Sequence, residues 1–361
     1  MRNNTPSGII IASKKSREVF EISHAVYMKR ALELAARGLR RTSPNPMVGC
    51  VIVKNGRILG EGWHHECGHP HAEIEALTDA QTHGEDVRGS TVYVTLEPCS
   101  HWGKTPPCAN RLIDEGIAEA VIAMRDPNPK VDGKGIEILR NAGITVTELP
   151  EFEAEAKFLN RGFVFVQKYS RPFVTLKMAV SLDGRMCLAN GSSKWLTGSE
   201  ARTLAHEIRA ENDAVLVGVG TVLANDPELT VRNAAGMNPL RVVLDGHGRT
   251  PTAAKVRGTD GKCLVMSGEN LHETLKDLAH RGVNTLMVEG GSKVISSFLR
   301  EGLADYVKVF VSPRILGEGK SIDVCAGFES VSDAFRLLGM KSTVCGQDIL
   351  LEGRLTCSPD L

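Results

Sequence analysis

The spacing of apolar residues predicts a first series of alternating helices and strands in the N-terminal half of the chain. A helix is predicted at residues 24–40, where the apolar positions approximate the helical repeat. Two apolar runs at residues 49–53 and 58–60 flank an Asn-Gly pair, which is typical of a tight β-hairpin. The elements predicted after the hairpin are a helix at 71–82, a strand at 91–96, a loop and helix at 98–115, a strand at 119–124, a helix at 135–141 and a strand at 144–148. This alternation indicates a layered α/β domain.

A second α/β series follows a junction at residues 158–172, which contains a Phe-Val-Phe-Val run and then Ser-Arg-Pro. Its strands are predicted at 173–179, 214–218, 240–245, 262–266, 285–289, 306–311 and 348–352, and its helices near 200–210, 271–281 and 293–301. At 361 residues the chain is too long for one ordinary core. We therefore predict one domain at residues 23–168 and another at 169–361, preceded by an N-terminal extension at residues 1–22.

Composition and charge narrow the class of protein. A hydrophobic content of 42% and a charged content of 24% are typical of a soluble globular protein. No apolar run approaches the ~18 residues of a membrane span, and the short apolar run near the N-terminus precedes its basic residues, unlike a signal peptide. Lys+Arg and Asp+Glu are both 43, so no charge excess marks a nucleic-acid surface. Nine cysteines without an even spacing pattern favour a reduced, cytoplasmic protein.

One group of residues indicates a specific chemistry. His71 and Glu73 belong to a His-Ala-Glu triplet, and Cys99 and Cys108 follow further along the chain. One imidazole and two thiolates suit a tetrahedral Zn²⁺ whose fourth position is open, as in catalytic zinc sites. Zinc lowers the pKa of water there, and a glutamate beside the ligands moves the proton. The joint pattern is typical of hydrolytic base deaminases, although singly these residues are better explained as buried cysteines and a helix cap.

The second half of the chain contains two glycine-rich turns after apolar strands. Gly218-Val219-Gly220-Thr221 resembles the start of a dinucleotide fingerprint, but Leu223 replaces its third glycine. Gly290 and Gly291 end the strand predicted at 285–289, where backbone N–H groups suit a phosphate. The pattern alone leaves two alternatives open, a phosphate site and a pair of ordinary tight turns.

Several longer motifs resemble one known family. They are Thr-Ser-Pro-Asn-Pro-Met-Val-Gly at 42–49, Gly-His-Pro-His-Ala-Glu at 68–73, Leu-Glu-Pro-Cys-Ser-His at 96–101 followed by Lys-Thr-Pro-Pro-Cys at 104–108, Asp-Pro-Asn-Pro at 126–129 and Val-Ser-Leu-Asp-Gly at 180–184. Together they resemble the bifunctional riboflavin-biosynthesis deaminase/reductase family over about residues 27–353. The long loop between Cys99 and Cys108 is specific to this family, since general deaminases separate the two cysteines by only three positions.

The resemblance implies a fold and two reactions. The fold is α/β, with an N-terminal cytidine-deaminase-like α/β/α domain and a C-terminal dihydrofolate-reductase-like α/β domain. The first domain is expected to hydrolyse the exocyclic amine of 2,5-diamino-6-ribosylamino-4(3H)-pyrimidinone 5′-phosphate, using one Zn²⁺ per chain. The second is expected to reduce the ribosyl group to ribityl with NADPH. Since that reductase fold differs from the Rossmann fold, the absent third glycine is no objection.

The resemblance also implies roles for individual deaminase residues. His71, Cys99 and Cys108 are expected to hold the zinc, and Glu73 is expected to act as the acid/base. The positions assigned to the deaminase substrate are Asn45, His64, Lys104 and Asp126. Lys104 supplies a cation for a single phosphate.

A second set of positions is implied for the reductase. Those assigned to NADPH are Ala179, Trp195, Thr221, Asn225, Gly246, Gly291, Ser292, Lys293, Val294, Ile295, Ser296 and Ser297. Those assigned to the reductase substrate are Lys177, Asp183, Ser193, Arg209, Leu229, Arg232 and Glu289. The two arginines suit a phosphate, the two carboxylates are expected near the ribose, and Lys177 and Glu289 are the candidate proton donors. Asn225 stands where Asp is expected.

Two other functions compete with this hypothesis. A deaminase that edits nucleic acid would need a basic surface or an RNA-binding motif, and the sequence shows neither. A degenerate second domain with a structural or regulatory role would bind no NADPH. We therefore expect a small phosphorylated pyrimidine as the partner, with no nucleic acid and no membrane. The sequence is compatible with a homo-oligomer and does not define the oligomeric state.

Overall fold

The protein is described here from a computed structural model, which covers residues 14–100, 102, 106–129, 131–323 and 328–361, with side chains from residue 24 onwards. The contacts among residues divide the chain into two compact units. The first unit comprises the described residues up to Gly38 together with Met47–Leu159, and the second comprises Leu39–Pro46 and Asn160–Leu361. Within the described residues, every helix is too short or too polar to span a bilayer.

The first unit is a five-stranded sheet with helices packed against it. Its elements are α1 Lys14–Ala36, β1 Gly49–Lys54, β2 Arg57–Trp63, α2 Ala72–Thr82, β3 Thr91–Val94, α3 Cys108–Asp114, β4 Glu119–Ile122, α4 Lys134–Asn141, β5 Thr145–Glu148 and α5 Pro150–Leu159. The strand order is β2-β1-β3-β4-β5, in which β1 is antiparallel to β2 and β3 while β3, β4 and β5 are parallel. The alternation predicted from the sequence is therefore confirmed in this half.

Two local features bring α2 into position. Asn55 and Gly56 both have positive φ, at 54° and 77°, which is the turn geometry that an Asn-Gly hairpin requires. On β2, a Cβ at Gly62 would lie 2.3 Å from the backbone nitrogen of Ala76. Because only glycine permits this approach, α2 packs directly on the strand. The start of α2 is thereby held at one end of the sheet.

The second unit is built on an eight-stranded sheet. Its elements are α6 Arg161–Tyr169, β6 Phe173–Ser181, β7 Cys187–Leu188, α7 Ser199–Ala210, β8 Ala214–Gly218, α8 Val219–Asn225, β9 Leu240–Leu244, β10 Cys263–Met266, α9 Leu271–His280, β11 Thr285–Val288, α10 Ser292–Arg300, β12 Tyr306–Ser312, β13 Gly319–Lys320, β14 Leu337–Cys345 and β15 Asp348–Leu355. The strand order is β10-β9-β8-β11-β6-β12-β15-β14. The first six strands in this order are parallel to one another, and β15 runs antiparallel to both of its neighbours, β12 and β14.

The sheet of the second unit separates two apolar layers. On one face, α9 and α10 bury Leu275 and Phe298 against the strands, and on the other α7 buries Ile208. Coverage on both faces explains why these strands read as short apolar runs without alternation. The carboxyl ends of the parallel strands consequently meet at one edge of the sheet, where α/β folds bind ligands.

Several elements differ from the sequence-based prediction. The first helix ends at Ala36 rather than near residue 40, because the chain turns there and Arg40 adopts a positive φ of 70°. The junction at 158–172 is largely helical, since α6 buries Phe165 against Phe173 with ring centroids 5.0 Å apart. The additional elements, which the pattern did not predict, are α5, α6, α8, β7, β13 and β14.

Candidate active sites

Three side chains of the first unit converge at the ends of its elements. His71 is the residue that precedes α2, Cys99 follows β3 in an irregular segment, and Cys108 is the first residue of α3. The His71 Nδ1 lies 3.3 Å from the Cys108 Sγ and 3.7 Å from the Cys99 Sγ. All three potential ligand atoms lie within 4.8 Å of one another. The structure thus brings together the three residues predicted to hold the metal.

The spacing of these atoms fits zinc. Ordinary Zn–N and Zn–S bond lengths in a tetrahedral site place nitrogen and sulfur about 3.6 Å apart, close to the two separations observed. The backbone N–H of Cys108 donates to the Cys99 Sγ at 3.2 Å, which stabilises a thiolate. The Cys108 thiol and the His71 ring lower the pKa of Cys99 to about 4. One ligand is therefore poised as a thiolate at neutral pH.

Glu73 lies on the first turn of α2, beside these ligands, and is 3% exposed. Burial raises the pKa of its carboxyl group to about 7, and the negative charge of Cys99 adds to the increase. A carboxyl group that titrates near neutral pH both accepts and releases a proton readily. This is the property that an acid/base residue in a hydrolytic deaminase needs.

The other predicted deaminase residues are placed differently. His64 is buried, its ring packs edge-on against His71 with centroids 5.5 Å apart, and its Nδ1 is 2.9 Å from the Pro70 carbonyl oxygen. Asp126 is also buried and accepts the Asn128 N–H. Asn45 lies in the Leu39–Pro46 segment of the second unit. Lys104 lies outside the described residues. Their roles toward a substrate stay predictions.

The second unit contains a cleft of about 770 Å³ at the carboxyl ends of β6, β8, β9 and β11. This volume is in the range of ordinary cofactor and ligand pockets. Eleven of the predicted reductase residues line it: Lys177, Ala179, Ser193, Trp195, Thr221, Asn225, Glu289, Gly291, Ser292, Lys293 and Val294. The Gly291 N–H donates to the Thr221 Oγ1 at 3.2 Å, which joins the two glycine-rich turns.

The remaining predicted reductase residues lie outside this lining. Ile295 is fully buried in the core, and the Oγ of Ser296 accepts the Asp323 N–H. Asp183 accepts hydrogen bonds from Ser181 and two backbone N–H groups, which lower its pKa to about 2. Its carboxylate therefore ties two loops together. The other predicted residues outside the lining are Arg209, Leu229, Arg232, Gly246 and Ser297.

A charge network reaches the floor of the cleft. Arg209 on α7 contacts Glu289 through two hydrogen bonds of 2.7 and 3.0 Å, and the Lys177 Nζ lies 3.7 Å from the same carboxylate. Burial alone raises the pKa of Glu289, but the charges of Arg209 and Lys177 bring it down to about 2. Glu289 is therefore an anion at neutral pH, although it is buried.

The same helix holds a neighbouring loop. The Arg209 Nη1 donates to the Thr230 carbonyl oxygen at 2.6 Å, and the Arg232 N–H donates to the His206 Nδ1 at 3.1 Å. Burial lowers the pKa of His206 to about 4, and the charges of Arg209 and Arg232 add to the decrease. His206 is thus a neutral acceptor. No sequence motif marks His206, although its spacing of three from Arg209 on a predicted helix is a usable signal.

The cleft carries a strong excess of positive charge. Of its described lining residues six are cationic and one, Glu289, is acidic; the cations are Lys177, Lys194, Arg202, Arg249, Lys293 and Lys320. A Cβ at Gly220 would have no heavy atom within 4 Å, so the turn leaves space beside its backbone. This charge and the open glycine turn fit a cofactor with phosphate groups. Four of the cations had no signal in the sequence: Lys194 and Arg249 lie in loops, Arg202 lies on α7 and Lys320 lies on β13.

Two known families match the two halves of the chain. Residues 22–124 match the cytidine and deoxycytidylate deaminase zinc-binding region, and residues 172–351 match the RibD C-terminal domain. These matches confirm the predicted fold class, a cytidine-deaminase-like domain followed by a RibD reductase domain. They also confirm the predicted cofactors, zinc for the first and NADPH for the second.

Relatives match almost the whole chain. The riboflavin biosynthesis protein RibD of Aquifex aeolicus is 43% identical over 348 residues, covering 90% of this chain and 96% of the relative. The RibD of Escherichia coli is 38% identical over 361 residues, covering 90% and 97%.

Two solved structures have the same architecture over nearly their full length. The Thermotoga maritima diaminohydroxyphosphoribosylaminopyrimidine deaminase/5-amino-6-(5-phosphoribosylamino)uracil reductase is 42% identical, with a TM-score of 0.84, and the match covers 93% of this chain and 99% of that one. Acinetobacter baumannii RibD is 39% identical, with a TM-score of 0.86 and the same coverage. From its ligand cluster, its cleft and these relatives, the chain belongs to the RibD family of bifunctional deaminase/reductases of riboflavin biosynthesis.

Proposed function

We propose that the chain catalyses two consecutive steps on one phosphorylated pyrimidine. The first unit hydrolyses the exocyclic amine of 2,5-diamino-6-ribosylamino-4(3H)-pyrimidinone 5′-phosphate, consuming one water and releasing ammonia. The second unit then reduces the ribosyl group of the product to ribityl. The observation that carries the proposal is the convergence of His71, Cys99 and Cys108 beside the buried Glu73.

In the deaminase, the chain supplies the ligands and the proton transfer. When bound, zinc lowers the pKa of water at its open position and so supplies the nucleophile. The Glu73 carboxylate accepts a proton from that water and passes it to the departing amine, which leaves as ammonia. His64 and Asp126 are the described residues of the first unit that are proposed to contact the ring; the other residues of the predicted set are Asn45 and Lys104.

In the reductase, the chain orients two partners and balances the charge. When bound, NADPH supplies a hydride to the ribose C1′. Lys177 is the proposed donor of the accompanying proton, because the pKa of about 2 keeps Glu289 ionised and without a proton to give. Arg209 and Arg232 are proposed to contact the substrate, with Arg232 half-exposed and able to reach a phosphate.

A free nucleotide-like substrate is favoured over a nucleic acid, because the net charge is zero. A cytoplasmic location is also proposed. All eight cysteines among the described residues are free thiols, as in reducing compartments. A homo-oligomer is compatible with this function.

Ammonia release tests the deaminase directly. The zinc-loaded chain is expected to release ammonia from the diaminopyrimidine phosphate without NADPH, and to leave transfer RNA unmodified. Deamination of transfer RNA with no release from the pyrimidine would instead favour a nucleic-acid-editing enzyme.

A further inference from the structure

Glu97 is a buried carboxylate that the two reactions do not use. It lies after β3, two residues before the ligand Cys99, and is 3% exposed. Its backbone N–H donates to the Met124 carbonyl oxygen at 3.0 Å, which fixes it beside the end of β4. An ionised carboxylate in such a place requires donors around it.

Four backbone N–H groups supply these donors. The Oε2 accepts from Asp126 and Gly133, at 3.2 and 2.9 Å, and the Oε1 accepts from Gly135 and Ile136, at 2.8 and 3.3 Å. Two of the four groups belong to the first turn of α4, where the helix dipole also favours a negative charge. The Glu97 carboxylate therefore binds both the segment that precedes α4 and the first turn of α4.

This segment presses against the backbone next to Cys99. A Cβ at Gly135 would lie 2.0 Å from the Pro98 carbonyl oxygen, so α4 and the Pro98 peptide are in backbone contact. On the other side, the Cys99 carbonyl oxygen accepts the Ala109 N–H at 3.3 Å. Cys99 is thus held between α3 and the segment that Glu97 anchors.

We propose that Glu97 is a positioning residue for the deaminase site. By binding the four N–H groups it fixes the backbone of Pro98 and Cys99, and hence the Cys99 Sγ as a metal ligand. Through the Asp126 N–H it also fixes the backbone of a residue proposed to contact the substrate. The claim that Glu97 positions the Cys99 Sγ depends only on the geometry, whereas the expected effect on turnover rests on the proposed deaminase function.

The chemistry requires a carboxylate of this length. Glutamine keeps the volume, but its NH₂ group is a donor and would face two N–H donors. Aspartate keeps both acceptor oxygens but is one methylene shorter. Glu97→Gln therefore removes two of the four hydrogen bonds, and Glu97→Asp weakens all four.

The test measures the metal site and turnover separately. Metal-free protein is titrated with Co²⁺, whose visible absorption reports tetrahedral geometry, and zinc affinity is measured by competition with a chelator. Deaminase kcat and KM, and reductase activity on deaminated substrate, are measured on the same samples. We expect Glu97→Gln to shift the Co²⁺ absorption and to lower zinc affinity or deaminase kcat by about 10- to 100-fold, with reductase activity unchanged.

Glu119→Gln is the matched control. Glu119 is a half-buried carboxylate on β4 that accepts the hydroxyls of Thr91 and Thr147, at 3.1 and 3.0 Å. This variant is expected to keep the wild-type Co²⁺ absorption and zinc affinity. A change of equal size in both variants would show general destabilisation and would overturn the proposal.

The remaining outcomes are also decisive. A folded Glu97→Gln variant with wild-type Co²⁺ absorption, zinc affinity and kcat would overturn the proposal. If circular dichroism shows that Glu97→Gln does not fold, Glu97→Asp decides by the same readouts: altered metal properties support the proposal, and wild-type properties overturn it. A wild-type chain that binds Co²⁺ tetrahedrally but releases no ammonia would overturn the proposed function, while the metal readouts would still test Glu97.

Discussion

The guanidinium of Arg209 and the carboxylate of Glu289 form a two-bond ion pair beneath the cleft of the second unit, with N–O distances of 2.7 and 3.0 Å. The pair joins α7 to the end of β11, and it neutralises the acidic residue among the described lining of an otherwise cationic cleft. Both side chains are about nine-tenths buried. Removing the Glu289 charge leaves the buried Arg209 guanidinium without its carboxylate partner.

Replacing Glu289 is therefore expected to affect stability as well as reduction. Glu289→Gln should lower the free energy of unfolding of the second unit by about 3 kcal/mol, the usual cost of breaking a buried ion pair, and should reduce reductase kcat. Chemical denaturation at neutral pH and reductase assays check this. Asp277→Asn is the control, since Asp277 pairs with Arg281 on the exposed side of α9; it should cost less than about 1 kcal/mol.

The same pair predicts an acid-sensitive stability. The folded pKa of Glu289 is about 2, below the ordinary 4.5, so the stabilisation is complete above pH 4.5 and is lost as the pH falls toward 2. Unfolding measured across this window should show a smaller acid loss in Glu289→Gln than in the wild type. Equal losses in the two proteins would refute the assigned role of the carboxylate.

His206 predicts a second pH dependence at milder acidity. Its pKa is about 4 in the folded chain against an ordinary 6.5, so the unfolded chain binds a proton in this window that the folded chain does not. Stability is therefore complete above pH 6.5 and falls as the pH drops toward 4. His206→Asn, which keeps an acceptor but does not titrate, should reduce this loss of stability.

His206→Leu should raise the KM of the reductase substrate, because the Arg232 N–H loses its acceptor. An unchanged KM would argue against a role of the loop that contains Arg232 in substrate binding.

Glu73→Gln is expected to separate metal binding from deamination. The amide cannot carry the proton, so deaminase kcat should fall by about 10²- to 10⁴-fold, while zinc content and reductase activity stay at wild-type levels. Glu75→Gln, two positions later on α2 and only half-buried, is the control and should remain active. Metal analysis and ammonia release distinguish the variants.

Removing a metal ligand, unlike replacing Glu73, should lower the zinc content of the protein. Cys99→Ala is expected to lose zinc and to destabilise the first unit, because the free energy of metal binding adds to the free energy of folding. Cys67→Ala removes an exposed thiol and should keep full zinc content. Full zinc occupancy in Cys99→Ala would disprove the ligand assignment, and chelator treatment of the wild type should abolish deamination while sparing reduction.

The pattern of residues predicts the deaminase site better than the reductase site. Its ligands and Glu73 lie near the ends of regular elements that periodicity locates, and their chemistry is specific to a metal. The reductase cleft depends instead on Lys320, Arg249 and Arg202, which are far apart in the sequence and come together only in the folded unit. Single-sequence patterns contain no information on such long-range assembly.

Two further features were not predicted from the sequence. The Phe-Val-Phe-Val segment is helical rather than extended, because Phe165 on α6 packs against Phe173 at the start of β6. Glu97 stood in a quoted motif, yet its role depends on four backbone groups 29 to 39 residues later. A carboxylate bound by main chain leaves no side-chain partner for sequence reasoning to detect.

The most direct test of two separate activities on one chain is NADPH oxidation by the Glu73→Gln variant, measured with the diaminopyrimidine substrate and with its deaminated product. We expect oxidation at the wild-type rate with the deaminated product and none with the undeaminated substrate. Rapid oxidation with the undeaminated substrate, or none with the product in a folded variant whose wild type is active, would contradict the account.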